Sequence, residues 1–543
     1  MVLFSSVWQL AWKLISHLIC LQSSISSSAM LTILSLRPSV KKMALLPIGR
    51  LVPFGASSHK NKYIFKNRYI MKTKHITILS LGFLLTLSSC TSYKNAFSGK
   101  WYSSLYGCRS TVTFMEDGKM KIESEANSAS CMTTGYTAIP RDGHYDFDLL
   151  MGDGMDNQGI AVIENNGKRM KIGIAFGPKE YVQRPKRCED AQKTAGGMML
   201  DLYRKESQIH SVLDKKVNAP AEAALAFERN RRLGRGINLN GYVDANPVDG
   251  NDAPMTPEDF RSIREAGFQS VRIPITWIKH ASKKAPYTID KDFFDKIDWT
   301  IKECIKNGLA VSIDQHYYPY INMGENDPDL TWDENIERLK SFWKQISEHY
   351  KDYSNETLFF DLLNEPNPQF GAEALNKLYA ELIPIIRRTN PGRTLLVCTP
   401  NLGQTWTLGE LSLPADEWNI IVEGHYYLPH TFTHQNLDYV PSAMSGKQVG
   451  WMGTEAEMEP ILHDLDFCKH YSEQTGRPVN IGEYGVCLKA DQESINRYVS
   501  FMQKEFEKRG FSNHIWAYRG LFGLYDLKTK EWNKETLKAI QQQ

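Results

Sequence analysis

The segment "LFFDLLNEPNP", residues 358–368, is a short apolar run that ends in an asparagine beside a glutamate. A helix N-cap is one explanation, because Asn often caps helices and acidic side chains favour the first helical turn. A functional pair at the end of a buried strand is the other explanation. The pattern of the surrounding chain distinguishes between them.

Eight apolar runs of strand length recur between residues 232 and 543, and helical periods separate most of them. The runs lie at 235–239, 270–275, 309–313, 358–363, 394–399, 419–424, 478–482 and 514–518. The helical periods lie at 257–267, 290–307, 332–352, 372–389, 458–475 and 493–509. Because strands covered on both faces are apolar throughout, this repeat predicts the α/β class, with a (β/α)8 TIM barrel over residues 232–543. A doubly wound open sheet is the alternative, but no glycine-rich phosphate loop follows the first run.

Polar and aromatic side chains stand at the ends of six of these runs. They are Arg272, His316, Asn364, Glu365, His425, Tyr427, Glu483 and Trp516. One such residue would be explained as a cap or as a satisfied core group. In a parallel barrel, however, the carboxyl ends of all strands meet at one face. Six strands that end this way therefore predict one polar cavity, and they favour the functional explanation of residues 364 and 365.

The motifs around these residues resemble glycoside hydrolase family 5, within the clan of retaining glycosidases whose acids end the fourth and seventh strands. In chain order the motifs are VRIP, DQHYY, LLNEPN, EGHYY, IGEYG and IWAYRGLFGLYD, and the preceding ERNRRLGRGINLNGY resembles the family's approach to its first strand. The resemblance covers roughly residues 225–540. The chain departs from the family motifs at two positions. Tyr317 stands where many relatives have a second histidine, and Arg519 follows "WAY", where many relatives have different residues. These differences concern the substrate subclass and not the reaction.

The resemblance implies hydrolysis of internal β-1,4 linkages by double displacement. Such a reaction needs two carboxyls roughly 5–5.5 Å apart, one protonated and one ionised. By this resemblance, Glu365 is the acid/base and Glu483 is the nucleophile. Asn364 would hydrogen-bond the sugar 2-hydroxyl, a contact that strengthens in the transition state.

The same resemblance implies supporting roles for the other strand-end residues. Arg272 and Tyr427 would favour the ionised form of the nucleophile, by charge and by hydrogen bonding. His316 and His425 would position the sugar and the acids. Trp516 would offer a flat apolar face to a pyranose ring. No HExxH-like spacing accompanies the histidines, so neither a metal nor another cofactor is expected.

The substrate is open at this point. A plant-type glucan (cellulose, mixed-linkage glucan or xyloglucan) is the first expectation, and a β-mannanase or other hemicellulase is the second. The choice depends on loop residues such as Asn240, Trp406 and the stretch LPHTFTHQ after Tyr427. A catalytically silent glycan-binding lipoprotein is a third possibility, which the presence of both glutamates disfavours.

Charge is unevenly distributed along the 543 residues, although the formal total is only +2. Residues 1–90 contain 11 Lys and Arg and no acidic residue, which leaves 53 basic and 62 acidic residues in the remainder. A mildly acidic body gives no reason to expect nucleic acid as a partner.

Residues 71–90, MKTKHITILSLGFLLTLSSC, have the order of a secretory signal: lysines, an apolar core and small residues. The ending LSSC resembles the lipobox of bacterial lipoprotein signals, in which the cysteine, here Cys90, is lipid-modified. This predicts Met71 as initiator, residues 1–70 as a non-native upstream extension, and lipid anchoring in the bacterial cell envelope, at the outer membrane or cell surface. A plain secretory signal is the alternative, and the apolar run is shorter than the roughly 20 residues of a membrane span.

Residues 91–190 are predicted to form a small all-β barrel or sandwich. Alternating segments flank Asp117-Gly118 and Asn166-Gly167, which are strong hairpin signals. The opening FSGKWYSS faintly resembles lipocalin-like domains. A sugar-binding module and a spacer from the membrane both remain open as its role, and residues 191–231 are expected to be a helical linker.

The cysteines show no zinc-like spacing. Because Cys108, Cys131 and Cys188 share one small segment of an exported chain, one disulfide is expected among them. The scattered cysteines of the later segments are expected to be buried thiols; they are Cys304, Cys398, Cys468 and Cys487.

Overall fold

The computed structural model describes residues 96–128, 131–150, 156–177, 183–193, 197–244, 254–322, 324–438, 446 and 448–541. The predicted extension 1–70, the predicted signal 71–90 and Cys90 lie outside the described residues. Ser98–Phe114 and Lys119–Gln543 form one compact unit, and the other unit is Met1–Phe97 with Met115–Gly118. Among the described residues, none of the helices combines the length and the apolar character that a membrane span requires.

An eight-stranded antiparallel barrel comes first in the chain. Its strands are β1 (Gly99–Leu105), β2 (Cys108–Phe114), β3 (Lys119–Ser124), β4 (Met132–Pro140), β5 (Tyr145–Leu150), β6 (Asp156–Glu164), β7 (Arg169–Gly177) and β8 (Met198–Tyr203). Each strand pairs with the next, and β1 pairs with β8 through Tyr102 and Tyr203, which closes the sheet. Both predicted hairpins are confirmed, since β2 pairs with β3 and β6 pairs with β7. Of the two predicted all-β architectures, the barrel is the observed one.

The interior of the antiparallel barrel is apolar and aromatic. Side chains along β2 and β3 alternate between buried and more exposed positions, as a strand with one covered face requires. Trp101 is fully buried, and the Arg204 guanidinium lies 3.7 Å from its ring centroid. This tryptophan is therefore not available on the surface as a platform for sugar.

The predicted helical linker 191–231 is wrong in its first part, because β8 lies there. The sequence MMLDLY alternates, with Met198, Leu200 and Leu202 buried between more exposed neighbours, and this period of two forms a strand that closes the barrel. The first α-helix after β8, α1, spans Ala223–Leu233.

The expected disulfide is also not observed. The thiols of Cys108, Cys131 and Cys188 are all free. Cys108 packs in the main apolar core, whereas the thiol of Cys188 donates to the Ile160 carbonyl, so the two point into different surroundings. The four later cysteines are buried free thiols, as predicted.

A closed parallel barrel of eight strands follows. Its strands are β9 (Arg235–Asn238), β10 (Ser270–Ile273), β11 (Ala310–Asp314), β12 (Leu358–Asp361), β13 (Leu395–Cys398), β14 (Ile420–His425), β15 (Val479–Tyr484) and β16 (Ser512–Ile515). The order is sequential and β16 pairs with β9, so the predicted TIM barrel is confirmed. Each strand overlaps one of the eight predicted runs.

Helices cover the outside of the parallel barrel. They are α2 (Pro257–Glu265), α3 (Lys291–Lys306), α4 (Trp332–His349), α5 (Gly371–Arg387), α6 (Glu455–Thr475), α7 (Gln492–Arg509) and α8 (Lys534–Gln541). Helices α2–α7 match the predicted helical periods. A two-stranded hairpin, β17 (Tyr525–Asp526) and β18 (Glu531–Trp532), precedes α8. Short helical segments lie at Asn165–Gly167, Cys188–Lys193, Glu206–Gln208, Trp277–His280, Pro400–Gly403, Thr405–Glu410 and His430–Thr433.

The inside of the parallel barrel changes from apolar to polar along its axis. At one level, Leu233 at the end of α1 packs with Ala310, Phe359, Leu396 and Ile421. Two residues further along the strands, on the same face, stand Ser312, Asp361, Cys398 and Glu423. The polar level leads towards the carboxyl ends of the strands, where the predicted site residues lie.

Candidate active site

Two glutamates lie together at the carboxyl ends of the fourth and seventh strands of the parallel barrel. Glu365 follows β12, and Glu483 lies near the end of β15. One oxygen of each carboxyl and one ring nitrogen of His425 lie within 4.8 Å of one another. The side chain of Glu365 is 35% exposed and that of Glu483 is 7% exposed, so only Glu365 is readily reached by solvent.

The carboxylate of Glu483 is held by donors on both of its oxygens. Arg272 Nη1 donates to Oε1 at 3.0 Å, and the Tyr427 hydroxyl donates to Oε2 at 3.0 Å. His425 Nδ1 lies 3.6 Å from Oε2. These contacts fix the orientation of the carboxylate and place Arg272 and Tyr427 beside Glu483.

The pKa of Glu483 is nevertheless raised above its ordinary value. Burial raises the pKa most, and the neighbouring negative charge of Glu365 raises it further. His425 and Arg272 lower it but do not outweigh these effects. Arg272 therefore lowers the pKa of Glu483, as expected, but it only reduces the size of the net upward shift.

Glu365 and His425 form a hydrogen-bonded pair with 2.8 Å between Oε1 and Nδ1. Burial opposes a charge on His425, but the carboxylates of Glu483, Glu365 and Glu423 raise the pKa of His425 to about 10. Burial would raise the pKa of Glu365, whereas the hydrogen bond and charge of His425 hold it below its ordinary value. Both shifts favour a proton on His425 over a proton on Glu365.

Arg272 is the centre of a buried ion-pair network below the two glutamates. Its side chain is fully buried. It contacts Asp314 at 2.9 Å, Asp361 at 2.9 Å and Glu423 at 3.3 Å, in addition to Glu483. Because an unpaired charge is very costly in a barrel interior, the cation and these acids depend on one another.

The network residues Asp314, Asp361 and Glu423 were not among the residues predicted from the sequence. Asp361 and Glu423 lie inside predicted apolar runs, and Asp314 directly follows the run 309–313. Asp314 and Glu423 each stand two positions before a predicted strand-end histidine. Residues i and i+2 of a strand share a face, so this spacing was a usable signal. Glu423 has a pKa of about 2, because Arg272 and His425 outweigh the effect of burial.

His316 and Trp516 lie against each other. Their rings stack with centroids 5.5 Å apart and planes 6° apart. His316 Nδ1 hydrogen-bonds Asp314 at 2.9 Å. Burial would lower the pKa of His316, but the charge and hydrogen bond of Asp314 raise it. Trp516 is only 8% exposed, so His316 and the ring together form a largely enclosed wall.

Asn364, beside the acid, is oriented by the central arginine. Its Oδ1 accepts from Arg272 Nη2 at 2.8 Å, and its backbone N–H donates to the Gln315 carbonyl at 3.0 Å. The residue is 5% exposed. Since the amide oxygen is engaged, the amide NH2 group is the part of Asn364 suited to contact a ligand oxygen.

The residues named for substrate choice lie in different surroundings. Asn240 is fully buried and its side chain bonds the backbone of Arg519 through both of its polar atoms, at 2.7 and 3.1 Å. Arg519 is itself buried, so both residues shape a loop and do not present a polar surface. Trp406 is half-buried against the main core. In the segment LPHTFTHQ, His430 and His434 lie close enough to Glu365 for its charge to affect their pKa, although burial lowers both.

Two groups of side chains in the described part of the chain have potential metal-ligand atoms within 4.8 Å of one another. They are Cys398, Glu423 and His425, and Glu365, His425 and Glu483. Both groups include His425, whose pKa is raised by the neighbouring carboxylates.

A sequence model of the family described as Cellulase (glycosyl hydrolase family 5) matches residues 232–520, more than half of the chain. The chain belongs to glycosyl hydrolase family 5. The matched residues include every strand of the parallel barrel and both glutamates, and the antiparallel barrel lies outside the match.

Solved and curated relatives agree with this membership. The endoglucanase Cel5A from Thermotoga maritima has a TM-score of 0.53 and 38% identity, covering 58% of this chain and 99% of that chain. Endoglucanase H from Acetivibrio thermocellus is 31% identical over 57% of this chain and 32% of its own length. The xyloglucan-specific endo-β-1,4-glucanase BoGH5A from Bacteroides ovatus is 26% identical over 56% of this chain and 67% of its length. The chain thus spans about a third of endoglucanase H.

Proposed function

We propose that this family 5 protein is a retaining endo-β-1,4-glucanase that acts by double displacement. The observation that carries the proposal is the pair Glu365 and Glu483, whose oxygens lie within 4.8 Å across the end of the barrel. Retaining glycosidases have carboxyls separated by about 5–5.5 Å, whereas inverting enzymes need about 6.5–9.5 Å to admit a water. The short separation therefore supports retention.

In the first step, an oxygen of Glu483 attacks the anomeric carbon while Glu365 protonates the departing glycosidic oxygen. The glycosidic C–O bond breaks and a glycosyl ester forms on Glu483. Asn364, whose amide is oriented by Arg272, would donate to the 2-hydroxyl of the sugar. In the second step, Glu365 takes a proton from water, the water oxygen attacks the same carbon, and Glu483 is released.

The proton for the first step comes from the Glu365–His425 pair. In the free enzyme it lies mainly on His425, 2.8 Å from Glu365. Bound sugar excludes water from the cavity, and a low-dielectric site disfavours a pair of separated charges. Transfer of the proton to Glu365 makes both groups neutral and puts the acid in its reactive form.

We propose a plant-type β-1,4-glucan as substrate, because named relatives include endoglucanases and a xyloglucan-specific enzyme. A β-mannan is the second candidate. One solved structure with 38% identity and a TM-score of 0.54 is described as Thermotoga maritima Cel5A in complex with mannotriose. A silent glycan-binding protein is disfavoured, since both carboxyls and their donors are in place.

Release of reducing ends from soluble cellulose, mixed-linkage glucan, xyloglucan and β-mannan tests this assignment. Glu483→Gln should lose at least about 10³-fold of kcat, because it removes the nucleophile. Glu373→Gln, on the exposed face of α5, is the matched control and should keep wild-type activity. Activity on β-mannan alone would move the assignment to the second candidate, and wild-type inactivity on all four polymers would refute it.

The cellular location belongs to the same proposal. We infer a lipid-anchored envelope protein with a lipocalin-like N-terminal barrel, and the LSSC sequence ending at Cys90 supports the anchor. Stable anchoring generally needs more than one acyl chain. Mass spectrometry of the mature protein should find an acylated Cys90 as the first residue. An unmodified N-terminus beyond Cys90 would contradict the anchor.

A further inference from the structure

The antiparallel barrel contacts the parallel barrel close to the strand that carries His425. At one contact, the Ser128 backbone N–H donates to Asp464 Oδ1 at 2.7 Å, and the Ser128 hydroxyl donates to Oδ2 at 2.8 Å. Ser128 lies in the connection between β3 and β4, and Asp464 lies on α6. Asp464 is 1% exposed, so the acceptor of these two hydrogen bonds is buried.

The same carboxylate holds the end of β14 from its outer side. Asp464 Oδ2 also accepts a hydrogen bond from the Tyr426 hydroxyl at 3.0 Å. Tyr426 is 1% exposed and stands between His425 and Tyr427 in the sequence. Its neighbours contact the two catalytic carboxyls: His425 bonds Glu365 and Tyr427 bonds Glu483. Asp464 thus connects the antiparallel barrel to both carboxyls through one tyrosine.

The end of β14 pairs irregularly with β15. The register shifts between Gly424 and His425, at the point where the catalytic side chains begin. Beyond the shift, the Tyr426 N–H donates to the Glu483 carbonyl at 2.9 Å. A shift of this kind interrupts the ladder, so side-chain contacts add to the remaining backbone hydrogen bond in holding the strand end.

A second contact between the two barrels involves the segment that pairs with His425. Gly107, in the turn between β1 and β2, packs so closely on Gly409 that a Cβ on either residue would overlap the backbone of the other segment. Gly409 belongs to the helical segment Thr405–Glu410, and just before it Gln404 forms a parallel bridge to His425. Cys108 and Ala126 of the antiparallel barrel also belong to the apolar core of the parallel barrel.

We propose that Asp464 is a positioning residue through which the antiparallel barrel fixes the end of β14, and with it His425 and Tyr427, for catalysis. The inference rests on the proposed function, because it assigns the antiparallel barrel a part in that reaction. The barrel then acts as a structural component of the active site, and the roles of spacer and sugar-binding module do not account for these contacts.

The test uses the full chain with single substitutions along this path. Tyr426→Phe removes one hydroxyl, Ser128→Ala removes one of two donors, and Asp464→Asn retains one acceptor oxygen. Ser104→Ala is the matched control, because the Ser104 hydroxyl accepts from the His210 N–H at 2.8 Å, a bond that does not involve Asp464. Each variant is checked for wild-type circular dichroism before kinetics on the best β-glucan.

Tyr426→Phe should lower kcat by about tenfold with KM changed less than about twofold, since misplacement of catalytic groups acts mainly on the transition state. Ser128→Ala should show a smaller loss of the same kind, and Ser104→Ala none. A folded Tyr426→Phe variant with wild-type kcat would overturn the proposal. So would equal losses in Ser128→Ala and Ser104→Ala.

An NMR titration of His425 in 15N-histidine-labelled protein gives a readout that needs no substrate. In the wild type, Glu365, Glu423 and Glu483 face the ring and raise its pKa. If the strand end is loosened, these contacts lengthen, and the pKa of His425 should fall in Tyr426→Phe and Asp464→Asn. An unchanged pKa of His425 in these variants would refute the positioning role, whether or not the enzyme hydrolyses a tested glucan. Failure to hydrolyse any glucan would instead count against the proposed function.

Discussion

Glu365 and Glu483 differ in their surroundings more than in their chemistry. Glu483 is nearly enclosed, with Arg272 and Tyr427 on its two oxygens, whereas Glu365 is a third exposed and shares a proton with His425. An enclosed carboxylate with fixed donors suits attack on carbon, and an accessible one with a proton donor suits acid/base work. The exposure and the fixed donors support the two proposed roles, whereas the raised pKa of Glu483 and the lowered pKa of Glu365 in the free enzyme oppose them.

The contact of Tyr427 with Glu483 predicts a change in the pH profile. Glu483 must be ionised to attack, and its pKa is raised, so kcat/KM should fall as the pH drops through a value above 4.5. Tyr427→Phe removes a donor to the ionised form and should raise that pKa further. The acid limb should therefore move to higher pH. A limb that stays in place or moves to lower pH would contradict the role of Tyr427.

Removal of each glutamate should have a different stereochemical consequence in the presence of azide. In Glu365→Ala, activated substrates should still form the glycosyl ester, and azide should then give a β-azide product. In Glu483→Ala, azide can only enter from the face that the nucleophile occupied, which gives the α-product. Product anomers identified by NMR distinguish the two outcomes. The same anomer from both variants would contradict the assignment.

The parallel barrel could be predicted because its strands are covered on both faces and are therefore apolar runs in the sequence. The antiparallel barrel was predictable where Asp117-Gly118 and Asn166-Gly167 mark hairpins. The strand β8 was missed, because its six residues follow a polar segment and no hairpin turn introduces them. The contact of Ser128 with Asp464 joins residues 336 positions apart, and no local pattern reports such a pairing.

The strand character of β8 predicts contrasting effects of two neighbouring substitutions. Leu200 is fully buried and Met199 is not. Leu200→Ala should lower the free energy of unfolding by about 2–5 kcal/mol, since it leaves a cavity in the barrel. Met199→Ala should change it by less than about 0.5 kcal/mol. Urea denaturation measures both. Equal effects would indicate that the segment is not an alternating strand.

Across the molecule, the strand-end residues of the site were easier to predict from the sequence than the buried acids that pair with Arg272. The strand-end residues were recognisable because chemistry-bearing side chains interrupt apolar runs at one end of a barrel. Asp314, Asp361 and Glu423 were harder to recognise, since they lie within the apolar runs or directly after one. Their shared cation, Arg272, is brought to them by closure of the barrel.

We infer that Glu365 and Glu483 carry out hydrolysis with retention. The anomer that forms first when the wild-type enzyme cleaves a soluble β-glucan tests this most directly, and 1H NMR can follow it before mutarotation equilibrates the product. Two displacements on one carbon restore the starting configuration, so the β-anomer should form first. Initial formation of the α-anomer would show inversion, and Glu483 would then not be the nucleophile.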